Sequence, residues 1–126
     1  MTNKIDNLWS WKGWEISWSL SNVPEKKSNK NILLVHGFGA SKKHWRYNQD
    51  VLGEELNCFA IDLLGFGESS QPIALLDYES KSKNSTKYCF DLWGEQIGDF
   101  CKENIKEPVI LIGNSIGGIA ALKAAE

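Results

Sequence analysis

Histidine occurs twice in these 126 residues, methionine once, and proline and cysteine three times each. The three cysteines, Cys58, Cys89 and Cys101, leave one thiol over in any pairing, and no CxxC or Cys/His ligand spacing is present. A disulfide scaffold and a zinc site are therefore excluded. Cys89 and Cys101 fall on one expected helix, too far apart along its axis to bridge, and all three read as buried thiols. Positive charge is not in excess either: 14 Lys and Arg stand against 16 Asp and Glu, a net charge of -2. With both signs mixed along the chain there is no basic face, and nucleic acid is excluded as a partner. The opening MTNKIDNLWSW has no apolar stretch of secretory-signal length, and later apolar runs are of strand length, so no transmembrane segment is expected and the chain reads as cytoplasmic. Repeats and low-complexity tracts are absent too. What remains, at 42% hydrophobic and 24% charged, is one ordinary globular domain or part of one.

Tryptophan is plentiful, with 6 residues. Trp14, Ile16, Trp18 and Leu20 alternate with Glu15, Ser17 and Ser19, the period of a half-buried strand, and Lys12-Gly13 is a turn signal before it. Residues 9–20 read as a hairpin whose rings pack on a strand face. A sugar-stacking platform fits less well, because the rings follow the strand period. Asn31 to Val35 is a continuous apolar run suited to a strand covered on both faces. It leads into HGFGAS, and residues 31–70 form one unit with a helix over 48–56 and a second run, CFAIDLL, ending in GFGESS. Residues 71–87 are polar and longer than most connections, hence loop or insertion. Ser85 or Thr86 is placed to cap the next helix, where Phe90, Trp93, Ile97, Phe100 and Cys101 share one face. Pro108 then opens the last strand, and residues 88–126 make a second unit. Strands alternating with helices imply an α/β fold: a mostly parallel sheet with helices on both faces.

Ligand sites in such sheets lie at the carboxyl ends of the strands, where the turns at Gly37, Gly65 and Gly113 fall. A dinucleotide site needs GxGxxG, and neither GFGASK nor GFGESS has its third glycine. A phosphate loop needs Lys and Ser or Thr after GxxxxG, whereas Gly118 is followed by Ile119 and Ala120. The pattern that fits is GxSxG at residues 113–117, set between an apolar strand and a small-residue helix. In such an elbow the serine sits on a strained turn, glycines two residues either side remove clashing Cβ atoms, and the helix start faces the reacting atom.

LLVHGFGAS, AIDLLGFGES and LIGNSIGG, in that order, resemble the third strand with oxyanion loop, the fourth strand with its turn, and the nucleophile elbow of the α/β-hydrolase superfamily. The resemblance runs from about Trp9 onward. It implies that Ser115 is the nucleophile, that the backbone N–H groups of Phe38 and Ile116 form the oxyanion hole, and that His36, Gly37, Gly113, Gly117 and Gly118 support them. Serine rather than aspartate at the elbow sets the chain apart from the haloalkane dehalogenase and epoxide hydrolase branches. HGFGAS, the helix start at Tyr88 to Trp93, and GNSIGG together are similar to hydrolases of the pheophytinase and chlorophyll dephytylase kind, which implies a large hydrophobic ester as substrate. No metal or organic cofactor is implied, since acyl transfer needs only side chains and water.

His36 and His44 both precede the serine, while the superfamily order is serine, acid, histidine. His36 is expected to brace the oxyanion loop, and Asp62 to tie down the Gly65 turn. The triad acid and histidine are expected beyond Glu126, so that these residues are the amino-terminal portion of a longer hydrolase and are inactive alone. The competing expectation is a non-catalytic remnant or binding module of the same fold.

Overall fold

The computed structural model describes residues 2–76 and 84–126. Strands β1 (Asn3–Trp11) and β2 (Trp14–Asn22) pair antiparallel, Trp11 opposite Trp14. Lys12 and Gly13 join them at φ of 50° and 81°. Two successive positive φ angles give the turn whose twist matches the flanking strands. The hairpin thus spans residues 3–22, longer at both ends than the alternating segment alone.

Strands β3 (Asn31–Val35), β4 (Asn57–Ile61) and β7 (Val109–Gly113) complete a sheet of order β1-β2-β4-β3-β7, in which β4, β3 and β7 run parallel and β2 runs antiparallel to β4. Val35 pairs with both Ile61 and Gly113. All three glycine-rich turns therefore leave the sheet at one rim. The short strands β5 (Ile73–Ala74) and β6 (Ser85–Thr86) form a separate parallel ladder. Part of the segment expected as loop, residues 77–83, lies outside the described residues.

Alternation along the parallel strands sorts the core into two layers. Leu33, Val35, Phe59 and Ile61 pack with Trp93, Ile97 and Phe100 of α2 (Phe90–Phe100) and Ala120 of α3 (Ile116–Ala125). Ile32, Leu34, Cys58 and Ala60 pack on the opposite face against Trp45, Leu52 and Leu56, around α1 (Arg46–Gly53). The tryptophans serve the first layer: the rings of Trp9 and Trp18 meet the Phe100 ring edge-on at 5.4 and 5.3 Å.

Four expectations from the sequence need correction. The serine face of β2 is not open to water: Ser17, Ser19 and Ser21 are buried, because α1 lands on it. Small side chains there let the helix approach until a Cβ on Gly53 would sit 2.8 Å from the Ser21 Cβ. α1 ends at Gly53 rather than continuing to Leu56, and it starts earlier, after a 3-10 turn at Lys42–Trp45. Neither Ser85 nor Thr86 caps α2; both belong to β6, and Cys89 occupies the cap position without a side-chain bond. That position leaves the Cys89 thiol exposed. Only Cys58 is fully buried, its pKa pushed up to about 12 by burial, while half-buried Cys101 is pushed up to about 11. Among the described residues no helix is long and apolar enough to cross a membrane.

Candidate active site at the strand rim

The turn between β7 and α3 holds Ser115 at φ 58° and ψ -125°, a region that non-glycine residues seldom occupy. Such strain persists where the surroundings dictate it, and here they are backbone. A Cβ on Gly113 would collide with the Gly117 carbonyl, and one on Gly117 with the carbonyl oxygens of Val35 and His36. Gly118 has room, its nearest contact being Gly113 O at 3.4 Å. The tightness of the elbow therefore resides in Gly113 and Gly117. Hydrogen bonds finish the turn: Asn114 N donates to Val35 O at 3.1 Å, and Gly117 N and Gly118 N donate to Asn114 O and Ser115 O, each at 2.9 Å.

The loop after β3 meets this elbow directly. A Cβ on Gly37 would lie 3.1 Å from the Ser115 Cβ and 3.2 Å from Asn114 O. Phe38 follows, 76% exposed, and Ser115 is also exposed. Among the described residues the N–H groups of Phe38 and Ile116 have no hydrogen-bond partner. The Ile116 amide also opens α3, where the helix dipole favours negative charge.

His36 is fully buried, and both ring nitrogens are engaged. Nδ1 lies 2.8 Å from Gly37 O, and Leu63 N donates to Nε2 at 3.0 Å. That pairing fixes a neutral ring with the proton on Nδ1, the tautomer being inferred from its partners. Burial holds the His36 pKa below its ordinary value, against the opposing pull of the Gly37 carbonyl. The ring thus ties the loop after β3 to the end of β4. It has no nitrogen left for Ser115. His44 sits on the 3-10 turn, exposed, edge-on to Trp45 at 5.2 Å. No described group is hydrogen-bonded to the Ser115 hydroxyl.

Asp62 does more than hold the Gly65 turn. Its carboxylate accepts from Lys42 N at 2.6 Å, from Lys42 Nζ at 3.3 Å and from Glu68 N at 2.9 Å, and a Cβ on Gly67 would strike it. Lys42, itself buried, also bonds Glu68 at 2.9 Å. Burial alone would lower the lysine's pKa, but the Glu68 hydrogen bond and the two carboxylate charges together raise it. The exposed Glu68 is held low by the same contact. Gln96 adds a third tie, accepting from Leu64 N at 2.9 Å and donating to Asp62 O at 3.1 Å. Its signal in the sequence is a polar residue inside the apolar stripe of α2. Lys42 carries no comparable signal, since a lysine in a turn reads as solvated.

Beside Phe38 a groove of about 420 Å³ is lined by Phe66, Tyr88, Trp93, Gly65, Gln71, Pro72 and Ala74. A larger polar cavity, about 620 Å³, lies between the hairpin and α1, lined by Lys4, Lys43, Arg46 and Gln49 among others, away from the elbow residues. Among the described residues no cluster of His, Cys, Asp and Glu could hold a metal ion.

Comparison with known proteins agrees with this geometry. The family model for the alpha/beta hydrolase fold matches residues 30–126. Over 104 residues the chain is 33% identical to the (lyso)-N-acylphosphatidylethanolamine lipase of Mus musculus, a match covering 82% of this chain and 28% of that protein. Against the chloroplastic pheophytinase of Arabidopsis thaliana it is 31% identical over 110 residues, covering 72% of this chain and 23% of the other. Among solved structures, a membrane phospholipase A described as a bacterial virulence factor superposes with a TM-score of 0.76 at 31% identity, covering 98% of this chain and 36% of that one. The chain therefore spans less than a third of the two curated relatives. The lipase is as near as the pheophytinase, so the likeness extends beyond the pheophytinase kind. An elbow pinned to β3, a glycine loop against it and a family match over both place this chain in the alpha/beta hydrolase fold family.

Proposed function

We propose that this rim serves a serine hydrolase of carboxylic esters or related acyl bonds. The observation that carries the reading is Ser115 held at φ 58° beside Gly37, with the unpaired amides of Phe38 and Ile116 on the same side of the strand ends. Ser115 Oγ gives its proton to a histidine base and attacks the ester carbonyl carbon, the carbonyl oxygen becomes an oxyanion bonded by the two amides, and collapse expels the alcohol, which takes that proton, to leave an acyl-serine. Water then attacks the acyl-serine, releasing the acid and restoring the hydroxyl. Each oxyanion donor accounts for about 10²- to 10³-fold in rate. His36 is a brace with both ring nitrogens engaged, so the base for Ser115 is another histidine oriented by an acid. The aromatic groove beside Phe38 supports a hydrophobic ester. The relatives' names, lipase and phospholipase, point the same way.

A second reading is a binding module that keeps the rim without turnover, supported by His36, whose ring nitrogens are both engaged away from Ser115. Fluorophosphonate labelling of the native gene product, with peptide mapping, separates the two. The hydrolase reading expects the label on Ser115 and its loss in Ser115→Ala; a native product that stays unlabelled supports the binding module.

A further inference from the structure

We infer that the outer edge of β1 joins the same edge of a second copy of this chain, antiparallel and centred on Ile5, so that Lys4 of each copy faces Asp6 of the other. β1 and β7 stand at opposite ends of the sheet order, so this surface is separate from the elbow and the inference goes beyond the hydrolase reading. Among the described residues nothing pairs with the outer side of β1. The hydrogen bonds of β2 show which groups point that way. Glu15 and Ser17 turn away from β1: their carbonyls accept from Ser70 N and Asp62 N, and their N–H groups donate to the hydroxyls of Ser70 and Ser69. Residues directly opposite in an antiparallel ladder share that sense. Ser10 and Leu8, opposite Glu15 and Ser17, therefore turn N–H and C=O outward, and Asp6 and Lys4 do the same in alternation. The Leu8 N–H is already held by Asn7 Oδ1 at 2.9 Å. The open stretch of edge is the one around Lys4 and Asp6.

Charge on an edge strand ordinarily repels a newcomer. Here the signs are opposite and two residues apart, a pattern complementary to itself. Two-fold pairing must set outward-turned residues opposite one another, which leaves few registers. Centred on Lys4, the ladder sets lysine against lysine; centred on Asp6, it sets carboxylate against carboxylate, and both repel. Centred on Asn7, it pairs Asp6 with Leu8 and needs the N–H that Asn7 holds. Centred on Ile5, it makes the Lys4 and Asp6 pair twice, on one face. On the other face the two Ile5 side chains meet at a position without backbone bonds, where opposing residues approach most closely. Ile5 is 58% exposed, a large apolar side chain with room for such a neighbour. Asp6 is exposed and makes no ion pair among the described residues. Lys4 holds Asp50 of α1 at 3.2 Å, so Asp6 of the second copy completes a set of two carboxylates around one ammonium.

Sedimentation of the native gene product over a range of concentrations is expected to show a reversible equilibrium of monomer and dimer. Asp6→Lys puts lysine opposite lysine in both symmetry-related pairs and is expected to weaken the dimer about tenfold; adding Lys4→Asp restores opposite signs and recovers most of that loss. Register is read by cross-linking in a Cys89→Ser background, which removes the exposed native thiol. Ile5→Cys is expected to form a disulfide between copies under mild oxidation, while Leu8→Cys, opposite Thr2 of the second copy, stays uncross-linked. Both side chains are exposed, so the fold does not depend on either. A protein that stays monomeric at every concentration overturns the proposal. So does a dimer indifferent to Asp6→Lys, or one in which Leu8→Cys cross-links as fast as Ile5→Cys. None of these readouts involves Ser115.

Discussion

The two loops that meet at Ser115 are held in place by different physics. The loop after β3 and the turn after β4 are fixed by buried polar groups: Asp62 accepting from three donors on Lys42 and Glu68, His36 between Gly37 and Leu63, and Gln96 between Leu64 and Asp62. The elbow after β7 has no buried charge, and glycine backbones pressed on the end of β3 hold it. A loop fixed by charge fails when one partner is deleted. A turn fixed by close packing fails when one atom is added.

The sharpest break of that contrast is Asp62→Ala, which strands the buried Lys42 ammonium and two backbone N–H groups. Losing one partner of a buried pair costs ~3–5 kcal/mol, read from urea unfolding midpoints. Gly117→Ala comes next, adding one methyl against two carbonyl oxygens for a loss of about 3 kcal/mol. Gly118→Ala, one residue on, has room and is expected to gain up to ~1 kcal/mol from helix propensity, so the pair isolates contact from composition. Ser115→Gly sharpens the elbow side: relieving the positive φ should stabilise the fold by about 1 kcal/mol and, on the proposed hydrolase reading, abolish fluorophosphonate labelling.

The smallest effect is expected from pH, on the charge-fixed side. His36 has its pKa lowered from 6.5 in the folded chain, chiefly by burial. Above 6.5 the ring is neutral whether folded or unfolded, and its contribution is complete. As pH falls below 6.5 the unfolded chain takes up a proton that the folded one resists, so stability declines until the folded value is passed. Unfolding midpoints at pH 7.5 and 5.5 should show this decline, and His36→Gln should flatten that part of the slope.

Much of this was legible before any coordinates. The apolar runs at Asn31–Val35 and Val109–Gly113 became neighbouring parallel strands, and the glycine turns fell on one rim. What stayed hidden depends on contacts far apart in sequence. Ser17, Ser19 and Ser21 read as a solvent face because nothing local announces that α1 will cover them, with Gln49 bonding the Ser19 hydroxyl at 3.0 Å. Lys42 reads as solvated because its partners Asp62 and Glu68 are supplied by another strand end. Ser85-Thr86 carries a good cap signal, and a two-residue ladder to Ile73-Ala74 overrode it. At the site, the glycines announced a tight turn, but which carbonyls they press on is a property of β3.

The pairing of β7 with β3 also has a consequence in time. Asn31 through Val35 are synthesised long before their partners Val109 through Gly113. A chain emerging from the ribosome can close the hairpin, pair β3 with β4 and set the His36 and Asp62 ties with no part of the elbow yet made. β7 must then find the β3 edge from far along the chain, which is the slow kind of contact. Ser115 is consequently born onto a surface already shaped to receive it, and its strained backbone angle is imposed by strand ends that formed without it.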